Sequence, residues 1–343
     1  MQMRRPASCT STIPHVGKAS HMYLYVYLFI FHTYNILIII LVGGKIMDKR
    51  IRVGTRQSAL AIAQTKIITE QLSKLNPELE FELVGIKTKG DVLLNTKLDL
   101  IGGKGLFVNE IEHALMDGSI DMAIHSMKDM PVFMPEELII AAVSKREDPR
   151  DVLITIDGTN LHTLKPGAVV GTSSARREVQ LLQLRPDLVV KQLRGNIVTR
   201  MDKLYAGEYD AIILAAAGLR RLGMDHKCTH PFTTQEMIPS IGQGILGIQT
   251  KRDGTLQSLL EQINCPEAKL QLDAERSLMI KLNGGCSTPI AAFAEIHGST
   301  MKLYGMLATQ DYKQCVKATV EGDKNEPNQL GEKLADKLID LLK

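Results

Sequence analysis

Three stretches of this chain set cationic and hydroxyl side chains where an apolar run should hand over to a helix. GTRQS places Arg56 and Ser58 there, and GTSSARR places Thr172, Ser173, Arg176 and Arg177. LRGNIVTR places Arg194 beside Gly195, with Arg200 about two helical turns further on. Free backbone N–H groups at a helix start, together with guanidinium forks, complement carboxylate or phosphate. Any one cluster by itself reads first as capping hydroxyls and solvated arginines, both of which are common. Three at equivalent places weigh towards an anion.

Other stretches offer chemistry of different kinds. IGGKGLF carries Lys104 on a glycine-rich segment but lacks the spacing and the GK[ST] ending of a phosphate loop; it reads either as a flexible loop before a helix or as a mobile segment that delivers Lys104 to an anion. HSMKDMP ends an apolar run with Ser126, Lys128 and Asp129, and a Lys-Asp pair of this kind is most often a surface ion pair. His125 reads as a core residue. KLNGGCSTPIAAF holds Cys286 behind two glycines; the local sequence leaves a structural thiol and a reactive one equally open. No spacing of His, Cys, Asp and Glu suggests a metal site, and no nucleophile elbow is present.

The elements that must position these residues alternate along the chain. RIRVGT, FELVGIKT, DMAIHSM, GAVVGT, LVVKQLR and DAIILAAAG read as strands. Between them SALAIAQTKIITEQLSKL, GLFVNEIEHALMDG, SSARREVQLLQL and IVTRMDKLYAG read as helices, the first with Leu60, Ala63, Ile67 and Leu75 near one face. Strands separated by helices of about a dozen residues imply parallel, doubly wound sheets whose ligands sit at the carboxyl ends of the strands. The predicted organisation is one domain of 48–146 plus 243–263, a second of 147–242, and a small α+β unit of 264–343, with joints near SKREDPRD, Pro239 to Gly247 and Cys265-Pro266.

With 343 residues the chain exceeds one hydrophobic core. Residues 1–47 contain Arg4, Arg5, Lys18 and Lys45 and no acid, which leaves 37 basic against 38 acidic residues in the remainder. Nothing in that balance points to nucleic acid. Five scattered cysteines without a CxxC pair argue for a reducing compartment. Met22 to Val42 is an apolar run of 21 residues, long enough to span a bilayer and poor as a signal peptide. It reads as a membrane anchor or as sequence upstream of a start at Met47; the abrupt change of composition favours the second.

Taken in order, GTRQSALA, TKGD, GGKGLFVNEIE, DMAIHSMKDMP, REDPRD, GTSSARR, LRGN, EYDAIILAAAGLRRL, IGQG and NGGCSTPIAAFAEI resemble the hydroxymethylbilane synthase (porphobilinogen deaminase) family. The resemblance runs from about Ile51 to the C-terminal helix. It implies an α/β enzyme of two doubly wound domains like those of periplasmic binding proteins plus a small C-terminal α+β domain, usually monomeric and cytoplasmic. The implied reaction joins four porphobilinogen molecules head to tail, releases ammonia and yields hydroxymethylbilane. The family's dipyrromethane cofactor is held by a thioether, and its cysteine falls on Cys286; its catalytic carboxylate falls on Asp129. The substrate's acetate and propionate groups then give Arg56, Arg176, Arg177, Arg194, Arg200 and Arg221 a role, with Ser58, Lys104, Ser126, Lys128, Thr172, Ser173 and Gly195 beside them. A two-lobed binding or effector-sensing protein for small anions would share the architecture and is the alternative.

Overall fold

The computed structural model describes residues 40–42, 45–47, 50–88, 108–283 and 289–343. Lys104, Cys286 and most of the apolar run 22–42 lie outside the described residues. At the end of that run β1 (Ile40–Val42) pairs antiparallel with β2 (Lys45–Met47). No helix among the described residues is long and apolar enough to cross a membrane.

The first lobe is built on a five-stranded sheet formed by β3 (Arg50–Arg56), β4 (Glu80–Ile86), β5 (Met122–Ser126), β6 (Leu138–Val143) and β12 (Leu246–Lys251), in the order β4-β3-β5-β12-β6. The second carries β7 (Asp151–Ile154), β8 (Val169–Gly171), β9 (Val189–Lys191), β10 (Ala211–Ala215) and β11 (His230–Pro231), in the order β11-β7-β10-β8-β9. Helices α1 (Ala59–Leu75) and α2 (Asn109–Asp117) belong to the first lobe. Helices α3 (Ala175–Leu184), α4 (Ile197–Tyr205) and the short α5 (Ala216–Arg221) belong to the second.

Neither sheet is wholly parallel, which corrects the expectation from the strand-helix alternation. β3 runs parallel to β4 and β5, but β12 is antiparallel to both β5 and β6. In the second sheet β8 is parallel to β9 and β10, while β7 is antiparallel to β10 and β11. The reason is connectivity: the chain leaves the first lobe after β6, builds the second, and returns through β12, so each sheet receives a strand that no βαβ unit delivered.

Helix α1 also turns a different face inward from the one its aliphatic residues predict. Ile67 and Leu75 are exposed at 38% and 55%, whereas Gln64, Thr65, Ile68, Thr69 and Leu72 are buried. Ile68 and Leu72 join the core with Ile51, Val53 and Ile248, each such side chain contributing roughly 2 kcal/mol by leaving water. Thr65 is accommodated because its hydroxyl donates to Ala61 O at 2.9 Å, with Thr55 Oγ1 at 2.8 Å.

The C-terminal unit is an antiparallel meander of β13 (Ile290–His297), β14 (Thr300–Ala308) and β15 (Cys315–Asp323). Beyond a short α6 (Gln257–Glu261), the helices α7 (Pro266–Lys281) and α8 (Pro327–Leu342) cover it through Leu278, Leu334 and Leu338. Among the elements absent from the sequence reading are β6, β7, β12, β15 and α7.

Candidate active site

The two lobes are joined by the crossovers 144–150 and 232–245, and the site is assembled where these pass each other. Ser144 N donates to Leu246 O at 2.8 Å and Glu147 N to Gly244 O at 3.1 Å. Gly244 must be glycine: its φ is +92°, and a Cβ there would stand 2.3 Å from Glu147 O. Gly242 has φ +69°, and a Cβ there would stand 2.8 Å from Met127 Cβ.

The turn after β5 is fixed by Met127. Met127 is buried, its N–H donates to Ile245 O at 3.0 Å, and so Lys128 and Asp129 project from an anchored 3₁₀ turn. They face a cleft of about 440 Å³. Its walls are Arg56 and Ser58 at the end of β3, Leu60, Ala61 and Gln64 of α1, Ser126, Lys128 and Asp129 after β5, Ala215, Ala217, Gly218 and Arg221 around α5, and Gln243 and Gly244 of the return crossover. The cleft thus gathers Arg56, Ser58, Ser126, Lys128, Asp129 and Arg221 from far apart in the sequence. Asp129 is the sole acid in this lining.

Three of these polar groups are held by their neighbours. Ser58 caps α1, its Oγ accepting from Ala61 N at 3.2 Å. Lys128 Nζ donates to Gln243 Oε1 at 3.4 Å; burial lowers this amine to about 8, opposed by Asp129. Arg221 donates to Gly244 O at 2.7 Å and is lowered to about 10 by burial, leaving it charged at neutral pH.

Behind Lys128 lies a buried ionic cluster. Arg176 Nη1 and Arg177 Nη2 reach the two oxygens of Asp151 at 2.8 and 2.7 Å, all three side chains being shielded from water. Burial opposes ionisation of Asp151, but the two guanidiniums outweigh it and hold the carboxyl far below the usual range. The arginines also donate to Ile238 O and Ile213 O, each at 2.8 Å. They are therefore internally paired as well as cationic, which the sequence reading of them as anion donors did not foresee. Gln243 links cluster and cleft, since its Nε2 donates to Asp151 Oδ1 at 3.1 Å and to Pro149 O at 2.7 Å.

The second lobe's other residues surround this point without lining the cleft. Thr172 is buried and its Oγ1 accepts from Ser174 N at 3.2 Å; Ser173 donates its hydroxyl proton to Leu193 O at 2.8 Å. Both hydroxyls hold the turn before α3. Gly195 adopts φ +115° where a Cβ would meet Thr199 at 2.8 Å. Its carbonyl accepts from Arg200 Nε at 2.7 Å. Burial lowers Arg200 to about 10, with Arg177 and Arg194 adding repulsion and Asp129 opposing it, so these four charges share one field. Gln64, Asp151, Gln243 and Gly218 were missed as site residues. Asp151 and Gln243 do stand inside REDPRD and IGQG, but nothing local marks them as polar links. Gly218 shows its role only in space, where a Cβ would stand 2.9 Å from Ile197 Cδ1.

Residues 51–258 match the family model described as porphobilinogen deaminase, dipyromethane cofactor binding domain, and residues 269–340 match the porphobilinogen deaminase C-terminal domain. The chain belongs to the porphobilinogen deaminase family. It is a transferase that assembles hydroxymethylbilane from porphobilinogen in tetrapyrrole biosynthesis, with a dipyrromethane cofactor. Among solved structures, it is similar to the periplasmic VFT2 domain of Bordetella pertussis BvgS, at 17% identity and a TM-score of 0.36 over 63% of this chain and 86% of that one. It is also similar to the periplasmic aliphatic sulphonate binding protein SsuA of Escherichia coli, at 13% identity and a TM-score of 0.37 over 69% of this chain and 71% of that one. Such loose similarity carries no argument about ligand or activity. The cleft itself fits the family's cofactor: a dipyrrole with several carboxylates suits a surface offering Arg56, Lys128 and Arg221.

Proposed function

We propose that Asp129 is the catalytic carboxylate of this synthase and that Cys286 carries the cofactor through a thioether. The observation that supports the first is the placement of a lone, exposed carboxylate among the cations of the cleft. When bound, the dipyrromethane supplies the pyrrole terminus on which the chain is extended. Asp129 then stabilises positive charge developing at the pyrrole nitrogens of incoming porphobilinogen, a preorganised electrostatic effect. Arg56, Lys128 and Arg221 hold carboxylates at the cleft. Arg176, Arg177, Arg194 and Arg200 extend the positive field into the second lobe, where Thr172, Ser173 and Gly195 shape the turns that carry them; Ser58, Ser126 and Lys104 complete the binding surface.

The domain division of 48–146 plus 243–263, 147–242 and 264–343 goes with this reading, and it is supported by three separate sheets drawing on those ranges. Cytoplasmic residence of a monomer is part of the same proposal, in keeping with the unpaired Cys228, Cys265 and Cys315.

Intact mass and turnover test the assignment together. Asp129→Asn should keep the mass of the cofactor-loaded protein and lose roughly 10²- to 10³-fold in kcat. Cys286→Ser should show the bare polypeptide mass. Near-normal turnover in Asp129→Asn, or a covalent dipyrrole on Cys286→Ser, overturns the corresponding role.

A further inference from the structure

Away from the cleft, the second lobe gathers His162, His230 and Glu236, whose ligand-capable atoms all lie within 4.8 Å of one another. We infer that these three residues form a binding site for a divalent transition-metal ion, with zinc as the metal that the donor set suits. Two imidazoles and one carboxylate are borderline donors of the kind zinc takes, leaving a fourth position to water.

Two of the ligands are fixed, each by a different part of the fold. His230 sits in β11, opposite Leu153 of β7, with its ring edge-on to both Phe232 and His162. Its Nε2 is buried and has no hydrogen-bond partner, a costly state for an imidazole nitrogen that a ligand would relieve. Glu236 Oε2 accepts from Thr233 N at 2.8 Å and Thr233 Oγ1 at 2.9 Å, which orients the carboxylate as outer-shell bonds do at metal centres. His162 follows Leu161, whose carbonyl, like that of Leu164, accepts from the Arg185 guanidinium. Zinc–nitrogen and zinc–oxygen bonds of about 2.0–2.2 Å require the donors to draw closer together. His162, the exposed member, can supply that movement by side-chain rotation. Lys317 is the neighbouring cation, and its Nζ is held by Gln235 O and Glu236 O. None of the three ligands lines the reaction cleft, so the ion would brace the second lobe and take no part in turnover.

The competing reading is an edge-to-face histidine pair packed on Phe232 with no affinity for metal. Titration of the metal-free, cofactor-loaded full chain with Zn²⁺, followed by calorimetry and thermal melting, separates the two. One saturable site per chain is expected, with Tm raised by about 5 °C at a hundredfold excess over Kd. His162→Ala and Glu236→Gln should each weaken zinc binding tenfold or more and leave zinc-free turnover unchanged. Absence of saturable binding, or unchanged affinity in either variant, overturns the site; the second result would place the metal elsewhere, for instance on the thiols.

Discussion

Lys128 changes charge closer to neutral pH than Arg221, the other cation of the cleft lowered by burial. Burial brings its ammonium down to about 8 despite the neighbouring Asp129. The cation is complete well below that value and is lost as pH rises through it. Porphobilinogen, bound through carboxylates, should therefore show KM increasing above pH 8, with kcat less affected. In Lys128→Gln, KM should be high throughout and that limb of the profile flat; a wild-type limb that survives the substitution would assign the titration to another group. His125, three residues away, behaves in the opposite sense to a catalytic histidine. Burial drives it down to about 4, so it stays neutral inside the first lobe, as its apolar sequence context suggests.

At the scale of elements, helix α3 is fastened to β7 through charge. Its first turn delivers Arg176 and Arg177 to Asp151, the first residue of β7. Asp151→Asn leaves two buried guanidiniums without their counterion and should destabilise the fold by about 3–5 kcal/mol, read as a lower urea midpoint. The return crossover is fixed by backbone shape instead. Gly244→Ala combines a left-handed φ of +92° with an approach of 2.3 Å to Glu147 O, so a loss of about 2–4 kcal/mol is expected from the same measurement. An alanine variant as stable as the parent would mean that the two crossovers are not fastened there. The motifs REDPRD and IGQG marked both places in the sequence, but the tie between them joins segments about a hundred residues apart and has no local signature.

Across the whole molecule, Glu275 of α7 connects three parts. Its oxygens accept from Arg146 at 2.7 Å in the outgoing crossover, from Gly242 N at 2.7 Å in the returning one, and from Ala294 N at 2.9 Å in β13. Arg146 also lies over the Phe293 ring, 5.3 Å from its centroid. The helix that leads towards Cys286 is thereby coupled to the crossovers that shape the cleft. Glu275→Ala should accelerate hydrogen exchange at Gly242 and Ala294 together and cost about 3–5 kcal/mol, because Arg146 is left buried and unpaired. Acceleration confined to one of the two amides would show that the coupling is local.

The sequence by itself determined the family, the α/β alternation and the identities of the cationic residues, because motif order and hydrophobic periodicity are properties of neighbours along the chain. It placed Asp129 on a strand-ending turn and Ser58 before a helix, where both are found. It did not determine that β7 and β12 enter their sheets antiparallel, that α1 buries Gln64 and Thr65 in place of Ile67, or that Arg176 and Arg177 share Asp151. Only the tertiary structure decided these points: sheet order, helix rotation and counterion choice depend on partners brought together by folding, and no run of neighbouring residues carries their energies.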